Sequence, residues 1–330
     1  MFKKIGILLM VAILAVIFTG GSAIPKPKEK PIEIVYFCGG PPGGTFSTVL
    51  YNGAKAAAEI LGDRVKVKYM WDDWNPQKIV SQFQEVIAMH PDGIAIIGYH
   101  ALTPFIEEAV KAGIIVTTNT VMLPEEIEKK FKANGLGYVG SDLYSAGYML
   151  GETAAKRAGL SKGDRAFVWG LLSEPTRGLR TKGIIDALKK LGIVVDYLEI
   201  SPEVNKDASA GIPTAVGYLQ KHPDCKLFIT DHGQLTATIP TYLRAAGLGP
   251  DDVYGAGFDL SPPTLEGIRS GYVDLVHSQQ PFLQGFLPIF QIYLTAKYKV
   301  AGLHIDTGVG LIDKTNVDLI APLVEKGMAG

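Results

Sequence analysis

The chain has 330 residues, 47% of them hydrophobic and 20% charged, a balance typical of folded domains and not of disordered chains. Its formal charge of −1, from 32 Lys and Arg against 33 Asp and Glu, leaves no basic excess for phosphates, so no nucleic-acid partner is expected. The length predicts about two domains. The two cysteines, Cys38 and Cys225, exclude a disulfide scaffold and a cysteine-rich metal site, and each is expected to be a buried thiol.

The N-terminus has the pattern of a secretory signal. Lys3 and Lys4 precede an apolar run over residues 5–18, and small residues follow it, so a signal peptide is predicted over 1–23. The alternative is an uncleaved membrane anchor, although the run is shorter than the roughly 20 residues that a bilayer span needs. Residues 24–31 are rich in Pro and Lys and are expected to form a tether. The protein is therefore expected to be periplasmic or otherwise extracytoplasmic.

From residue 32 onward, short apolar runs alternate with amphipathic segments. Asn75 is predicted to cap a helix that starts at Pro76, because Pro is favoured at the first helical position. The β-α order predicts a parallel sheet with helices on both faces. The elements predicted in the first half are strands over 32–37, 65–71, 93–98 and 114–118, and helices over 47–61, 76–89 and 104–112.

The alternation starts again in the second half, which indicates two similar α/β halves. The strands predicted here cover 165–170, 194–200, 226–230, 253–258 and 272–277. The helices predicted here cover 144–157, 180–191, 208–221, 237–246, 263–270 and 282–298.

Polar residues cluster just after the predicted strands, where open parallel sheets bind their ligands. Side chains of Asp, Asn, Gln and Arg at such positions can bridge neighbouring hydroxyls of a neutral polyol with paired hydrogen bonds. The aromatic rings of Phe46, Tyr99 and Trp169 are candidates to cover the C–H face of a sugar. The strand-end segments are 39–47, 98–100, 119–120, 141–142, 173–180, 231–232, 259 and 279–280.

Several other site types are excluded or left as alternatives. The six histidines show no metal-binding spacing, and no nucleophile elbow is present, so neither a metal nor a cofactor is expected. The GGPPGG segment lacks the Lys-Ser/Thr pair of a phosphate loop. Asp142 is a candidate helix cap as well as a ligand contact, and His232 a loop contact or a ligand residue. Trp71 and Trp74 are expected at a lobe surface as core and cap residues, with ligand contact as the alternative.

Three segments carry a family resemblance: YVGSDLYSAG at 138–147, VYGAGFDLSPPTLEGIRSG at 253–271 and SQQPFLQGFLP at 278–288. With these segments, the chain resembles a type I periplasmic binding protein of the ribose-binding kind, a sugar-binding component of ABC importers. The resemblance spans residues 32–317. It implies an α/β fold of two doubly wound parallel-sheet lobes, joined by a three-strand hinge, with ligand in the cleft. The implied lobes are 32–141 with 280–307, and 142–279 with 308–330.

The resemblance also implies a set of ligand-binding residues. Phe46 matches the family's first stacking aromatic, whereas the second aromatic position holds Ser47. The arginine of the family matches either Arg177 or Arg180, and the usual Asn-Asp pair is replaced by Asp231 and His232. The full set implied is Phe46, Ser47, Asn119, Ser141, Asp142, Glu174, Arg177, Arg180, Asp231, His232, Asp259, Gln279 and the adjacent alternative Gln280.

The function implied is capture without chemistry. A monomer would bind a small sugar or polyol, close its cleft and deliver the ligand to an ABC transporter permease. One alternative is a receptor of the same fold that reports the ligand to a membrane sensor. Another is an exported sugar-modifying enzyme that uses two of the carboxylates Glu174, Asp231 and Asp259 as an acid/base pair. Pentose, hexose, polyol and cyclitol ligands remain open at this stage.

Overall fold

The computed structural model of the protein describes residues 29–308 and 310–330, and Ile32–Gly330 form one unit. The predicted signal peptide and most of the predicted tether lie outside the described residues. Among the helices of the described part, none combines the length and the apolar character needed to cross a membrane.

The described chain alternates strands and helices. The strands are β1 Ile32–Phe37, β2 Val65–Met70, β3 Gly93–Ile97, β4 Ile115–Asn119, β5 Gly137–Gly140, β6 Arg165–Gly170, β7 Val194–Glu199, β8 Cys225–Thr230, β9 Tyr254–Phe258, β10 Leu275–Ser278, β11 His304–Asp306 and β12 Gly310–Ile312. The helices are α1 Thr45–Leu61, α2 Pro76–Met89, α3 Thr103–Lys111, α4 Glu125–Phe131, α5 Leu143–Arg157, α6 Pro175–Lys190, α7 Pro202–Lys206, α8 Ile212–Lys221, α9 Gly233–Ala245, α10 Pro262–Arg269, α11 Pro281–Tyr298 and α12 Val317–Glu325.

The strands form two six-stranded sheets, one in each lobe. The first has the order β11-β5-β4-β3-β1-β2, with every pair parallel. The second has the order β12-β10-β9-β8-β6-β7, parallel except where β12 runs antiparallel to β10. The predicted α/β fold with two parallel-sheet lobes is confirmed. The exact lobe boundaries stay a prediction, although the strands of each sheet come from the chain segments that the prediction assigned to each lobe.

Each sheet is covered by helices on both faces, because successive side chains of a buried strand point to opposite sides. In β1, Ile34 and Tyr36 pack into one apolar cluster and Val35 and Phe37 into another. The same alternation in β6 places Trp169 in the core of the second lobe, 1% exposed and stacked on Phe167. The expectation that Trp169 offers a ring to a ligand is therefore wrong.

Most predicted elements are observed, and the differences have local causes. Strands 32–37 and 165–170 and helix 76–89 are confirmed at those bounds, as is the cap, since Asn75 Oδ1 accepts from the backbone N–H groups of Gln77 and Lys78 at 3.0 Å. The helix predicted from 180 begins at Pro175, because proline suits the first helical turn. The elements α4, β5, α7, β11, β12 and α12 were not predicted, and most are too short to show a periodic pattern. Cys38 and Cys225 are confirmed as buried free thiols.

Three chain crossings between the lobes meet in one hydrogen-bonded cluster, the hinge, formed by segments 140–142, 278–281 and 306–308. Thr307 Oγ1 donates to Gln279 O at 2.7 Å, and the Thr307 N–H donates to Gly140 O at 3.0 Å. Gln284 Nε2 donates to both Gln279 O at 2.7 Å and Thr307 Oγ1 at 3.0 Å. The Oε1 atom of Gln284 accepts from Thr120 Oγ1 at 2.9 Å, which ties the end of β4 to the hinge. The crossings are thus held in a fixed mutual arrangement.

We predict that His277, on the hinge strand β10, makes folding stability fall in acid. The ring is fully buried, Nε2 donates to Gly308 O at 2.7 Å, and Nδ1 has no partner among the described residues. Burial lowers the pKa of His277 to about 4, whereas the unfolded side chain titrates near 6.5. As the pH falls from 6.5 towards 4, His277 therefore binds a proton in the unfolded chain but not in the folded chain. Proton binding favours the unfolded state, so folding stability is lost over this range. The loss is at most about 3 kcal/mol.

Denaturant unfolding of the wild type and of His277→Gln at pH 7.5 and 4.5 checks this prediction. Asp72 and Asp274, whose pKa burial raises to about 6, act in the opposite direction in both proteins, so the difference between the proteins isolates His277. The stability advantage of the wild type over the variant should shrink at pH 4.5. An advantage that is equal at both pH values would contradict the assignment.

Candidate functional site

The candidate site lies at the carboxyl ends of neighbouring strands of the second sheet. Asp231 follows β8, Asp259 follows β9 and Gln279 follows β10, and these strands are adjacent in the sheet. Next to β8 lies β6, whose following loop leads into α6. Parallel strands bring these residues to a single edge, where open α/β sheets bind their ligands.

Asp231 is the centre of this edge, and its side chain is fully buried. Its Oδ2 accepts from Thr181 Oγ1 at 2.7 Å and from the Leu171 N–H at 3.1 Å. Arg177 donates to Oδ2 at 3.2 Å and to Oδ1 at 3.3 Å, and His232 Nδ1 lies 3.1 Å from Oδ1. Both oxygens of the buried carboxylate are therefore occupied by partners from the protein itself.

These partners keep Asp231 ionised. Burial alone would raise the pKa of the carboxyl group. The charge of Arg177, the hydrogen bond with His232 and the charge of Arg180 outweigh burial and hold the pKa well below its usual range. The site thus contains a fixed negative charge matched by two guanidinium groups.

Arg180 is 2% exposed and connects the members of the edge. Its Nη1 donates to Asp231 O at 2.9 Å and its Nη2 to Gln279 Oε1 at 3.0 Å. Its guanidinium carbon lies 4.2 Å from the centroid of the Phe258 ring, within cation–π distance. Burial and the nearby Arg177 lower the pKa of Arg180 to about 10, so the side chain remains charged at neutral pH.

The early start of α6 brings both arginine candidates to the site. Arg177 and Arg180 are three residues apart and Thr181 is four residues after Arg177, so all three lie on one helix face. Helix α5 approaches that part of α6 closely, since a Cβ atom at Gly147 would lie 2.0 Å from Arg180 O. The two arginines differ in exposure: Arg180 is buried, whereas the side chain of Arg177 is 21% exposed.

Asp259 and Gln279 continue the network. Gln279 Nε2 donates to Asp259 Oδ1 at 2.7 Å, and Gln279 is 2% exposed. Asp259 has a φ of 67°, a left-handed conformation that costs energy for a residue other than glycine. A Cβ atom at Gly233 would lie 2.9 Å from Asp259 Cβ. Because glycine has no side chain, the start of α9 leaves room for the side chain of Asp259. Unlike Asp231, Asp259 is partly exposed and can bind a ligand.

The first sheet contributes an amide and aromatic rings. Asn119 ends β4 and is fully buried, with Nδ2 donating to Tyr36 Oη at 3.4 Å and Oδ1 accepting from Thr120 Oγ1 at 3.1 Å. Phe46 and Tyr99 pack on an apolar cluster at the ends of β3 and β4. Burial raises the pKa of Tyr99, the charge of Asp72 raises it further, and the charge of Arg177 opposes the rise.

Three of the predicted residues belong to the hinge or to a helix end. Asp142 is the N-cap of α5, and its Oδ1 accepts from the Ser145 N–H at 2.8 Å. Gln280 Nε2 donates to Thr307 O at 2.8 Å. Ser141 is 1% exposed, and its Oγ has no partner in the described part of the chain.

Two further predicted residues lie away from the network around Asp231. Ser47 is fully buried and donates to Pro41 O at 3.0 Å, so it holds the loop before α1 in place. Glu174 is exposed at the N-terminus of α6 and makes no side-chain capping bond.

Sequence reasoning missed Thr181 and Gln284, both buried polar residues of the network and the hinge. The spacing of Thr181 from Arg177 on a helix was the available signal, but it required the correct helix start. Among the buried polar atoms that have no partner within the described residues are Arg180 Nε, His232 Nε2 and Asp72 Oδ2. A buried polar atom without a partner is costly, and a ligand hydroxyl is one group that would satisfy it.

Within residues 29–308 and 310–330, no three His, Cys, Asp or Glu side chains converge as metal ligands.

We predict that Asp231→Asn destabilises the protein by about 3 kcal/mol, because the change leaves buried arginine charges without their counterion. Asp224→Asn is the matched control. Asp224 also pairs with an arginine, Arg165 at 2.8 Å, but its side chain is 63% exposed. Its loss should cost no more than about 1 kcal/mol. Denaturant unfolding of the three proteins tests the prediction, and equal losses in both variants would contradict it.

Comparisons with known proteins agree with this architecture. A model of the periplasmic binding protein domain matches residues 35–299. The xylose/arabinose-binding protein of Sulfolobus acidocaldarius is 28% identical over 254 residues, which are 72% of this chain and 61% of that protein. The chain thus spans about three fifths of the length of this curated relative.

Solved structures share the whole fold. A carbohydrate transporter protein from Acidothermus cellulolyticus in complex with myo-inositol is 24% identical, with a TM-score of 0.74 over 90% of this chain and 99% of that one. A periplasmic sugar-binding protein of an ABC sugar transporter from Legionella pneumophila is 26% identical, with a TM-score of 0.70 over 84% of this chain and 99% of that one. The family model covers most of the chain and the solved structures have the same two-lobe fold, so the chain belongs to the periplasmic binding protein domain family.

Proposed function

We propose that this protein captures a neutral monosaccharide or a related polyol in the cleft between its two lobes. The observation that carries the proposal is the network in which Arg180 joins Asp231 to Gln279, and Gln279 joins Asp259. It holds planar donors and acceptors at fixed positions along one edge. Such groups can each bridge two neighbouring hydroxyls, and sugars present hydroxyls in that arrangement.

We propose that binding closes the cleft, with one lobe formed by 32–141 and 280–307 and the other by 142–279 and 308–330. Phe46 and Asn119 belong to the first lobe, and the arginine network belongs to the second. A ligand that touches both sides binds the closed arrangement more tightly and shifts the population towards it. The three hinge crossings allow this motion while they keep the lobes in register.

The site is suited to binding and not to bond cleavage. A glycoside-cleaving pair needs one carboxyl group with a raised pKa to act as the acid. Asp231 has the opposite shift, since its neighbours lower its pKa, and its oxygens are already bonded within the protein. The names of the related proteins describe binding and transport.

We further propose that residues 1–23 export the protein, that it works as an extracytoplasmic monomer, and that its partner is an ABC transporter permease. The support is the signal pattern of the sequence together with the family, whose solved members include an ABC transporter component. Pull-down with the permease would support delivery, whereas pull-down with a membrane sensor would identify a receptor.

A thermal-shift screen tests sugar capture. Protein freed of bound ligand is heated with aldopentoses, aldohexoses, pentitols and inositols. A ligand at a thousand times its dissociation constant adds about 4 kcal/mol of stability, which is a large shift in the unfolding midpoint. At least one sugar or polyol should stabilise the protein. No shift across the panel would contradict the proposal.

We predict that Asp259→Ala and Arg180→Ala each weaken binding of the stabilising ligand by about 10- to 150-fold, because each change removes a charged hydrogen bond. The matched controls are Asp318→Ala and Arg269→Ala, which break an ion pair of 2.9 Å on the exposed surface. Isothermal titration calorimetry of the four variants measures the effect, and Arg180→Lys covers the case in which Arg180→Ala does not fold. Wild-type affinity in Asp259→Ala and in the Arg180 variant would refute the site.

A further inference from the structure

The β2–α2 turn places a tryptophan beside the loop that enters the cleft. Trp74 is 43% exposed, and its indole lies on the backbone of Gly39 and Gly40. A Cβ atom at Gly40 would lie 2.2 Å from Trp74 Nε1, and one at Gly39 would lie 2.7 Å from Trp74 Cη2. The two glycines are therefore required for the indole to occupy this place.

The turn is strained, and specific contacts hold it. Asp73 and Trp74 have φ values of 58° and 56°, which residues other than glycine rarely adopt. Asp72 Oδ1 accepts from the Trp74 N–H at 2.9 Å, and the Asp72 N–H donates to Gly39 O at 2.9 Å. Lys78 Nζ lies 2.6 Å from Asp73 Oδ2. Strain that the surroundings maintain at a cleft is a feature of functional sites, and here it fixes the direction of the indole.

Trp74 lies next to the ring that was predicted to stack on ligand. Its centroid is 6.4 Å from that of Phe46, with the rings tilted by 49°. Phe46 and Tyr99 pack on one apolar cluster of the first lobe, and the rings of Trp74, Phe46 and Tyr99 are together called the aromatic wall. Asp72, at the base of the turn, is fully buried, and its Oδ2 has no partner in the described part of the chain, a second indication that a polar ligand group belongs here.

We propose that Trp74 is a ligand-contacting residue that stacks, beside Phe46, on the C–H face of a sugar in its ring form. This inference rests on the proposed function. A rigid sugar ring presents a flat apolar face to Phe46 and Trp74, whereas an open-chain polyol does not. The wall therefore selects cyclic sugars over linear polyols.

The chain allows a direct test by fluorescence, because it has three tryptophans in distinct settings. Trp169 is in the core of the second lobe and Trp71 packs on Tyr51, with ring centroids 5.5 Å apart. Trp74 is the one that faces the loop at the cleft. The variants Trp74→Phe and Trp74→Leu retain an apolar side chain, and only the first retains an aromatic face. Trp71→Phe is the matched control.

The full chain and these variants are titrated with D-xylose, L-arabinose, D-ribose, D-glucose and the linear xylitol, by calorimetry and by tryptophan emission. With a ring-form sugar, Trp74→Leu should raise the dissociation constant about tenfold and Trp74→Phe by less, since an aromatic contact contributes about 0.5–1.5 kcal/mol beyond its burial. Any weaker binding of xylitol should be unaffected. The emission change on binding should persist in Trp71→Phe and disappear in Trp74→Phe.

An unchanged dissociation constant in Trp74→Leu, or an emission change that survives in Trp74→Phe, would overturn the proposal. If Trp74→Leu fails to fold, Trp74→Phe decides through its emission response. If the wild type binds none of these sugars but is stabilised by another compound of the thermal-shift panel, the inference about Trp74 fails and the proposed function stands. No binding across the whole panel contradicts the proposed function itself, and that result is seen before any variant is made.

Discussion

The structure depends on one buried carboxylate and the two arginines that neutralise it. Asp231 has no access to water, and an unpaired charge in that position would not be tolerated. Arg177 and Arg180 neutralise the buried charge of Asp231. The same contacts fix both arginines at the edge of the sheet. These contacts hold the polar groups of the edge in place, so a ligand that binds there, as we propose, leaves little ordering cost for the binding step.

The same network reaches the hinge. Gln279 receives a hydrogen bond from Arg180 through its side chain, and through its backbone carbonyl it accepts from Thr307 and Gln284. Gln284 in turn accepts from Thr120 of the first lobe. A short chain of hydrogen bonds therefore connects the charged edge of one lobe with the strand ends of the other. We propose that these residues couple ligand contact to lobe movement.

Much of the fold was predictable because buried parallel strands and amphipathic helices carry clear periodic patterns. The strand ends were predictable for the same reason, which is why Asp231, Asp259 and Gln279 were candidates before the structure. The places of the aromatic rings in the fold could not be predicted from the sequence. Trp169 lies within a predicted strand and Trp74 follows one, but only tertiary packing decides which ring enters a core and which lies on a glycine loop. The division between the two arginines likewise depended on where α6 begins.

The central claim is that a sugar bridges the two lobes and closes them. Small-angle X-ray scattering of the protein with and without a saturating concentration of the stabilising sugar tests it most directly. The account predicts a smaller radius of gyration with sugar, and a smaller change in Asp259→Ala at a sugar concentration that just saturates the wild type. A wild-type radius that does not change although calorimetry shows the sugar bound would contradict closure.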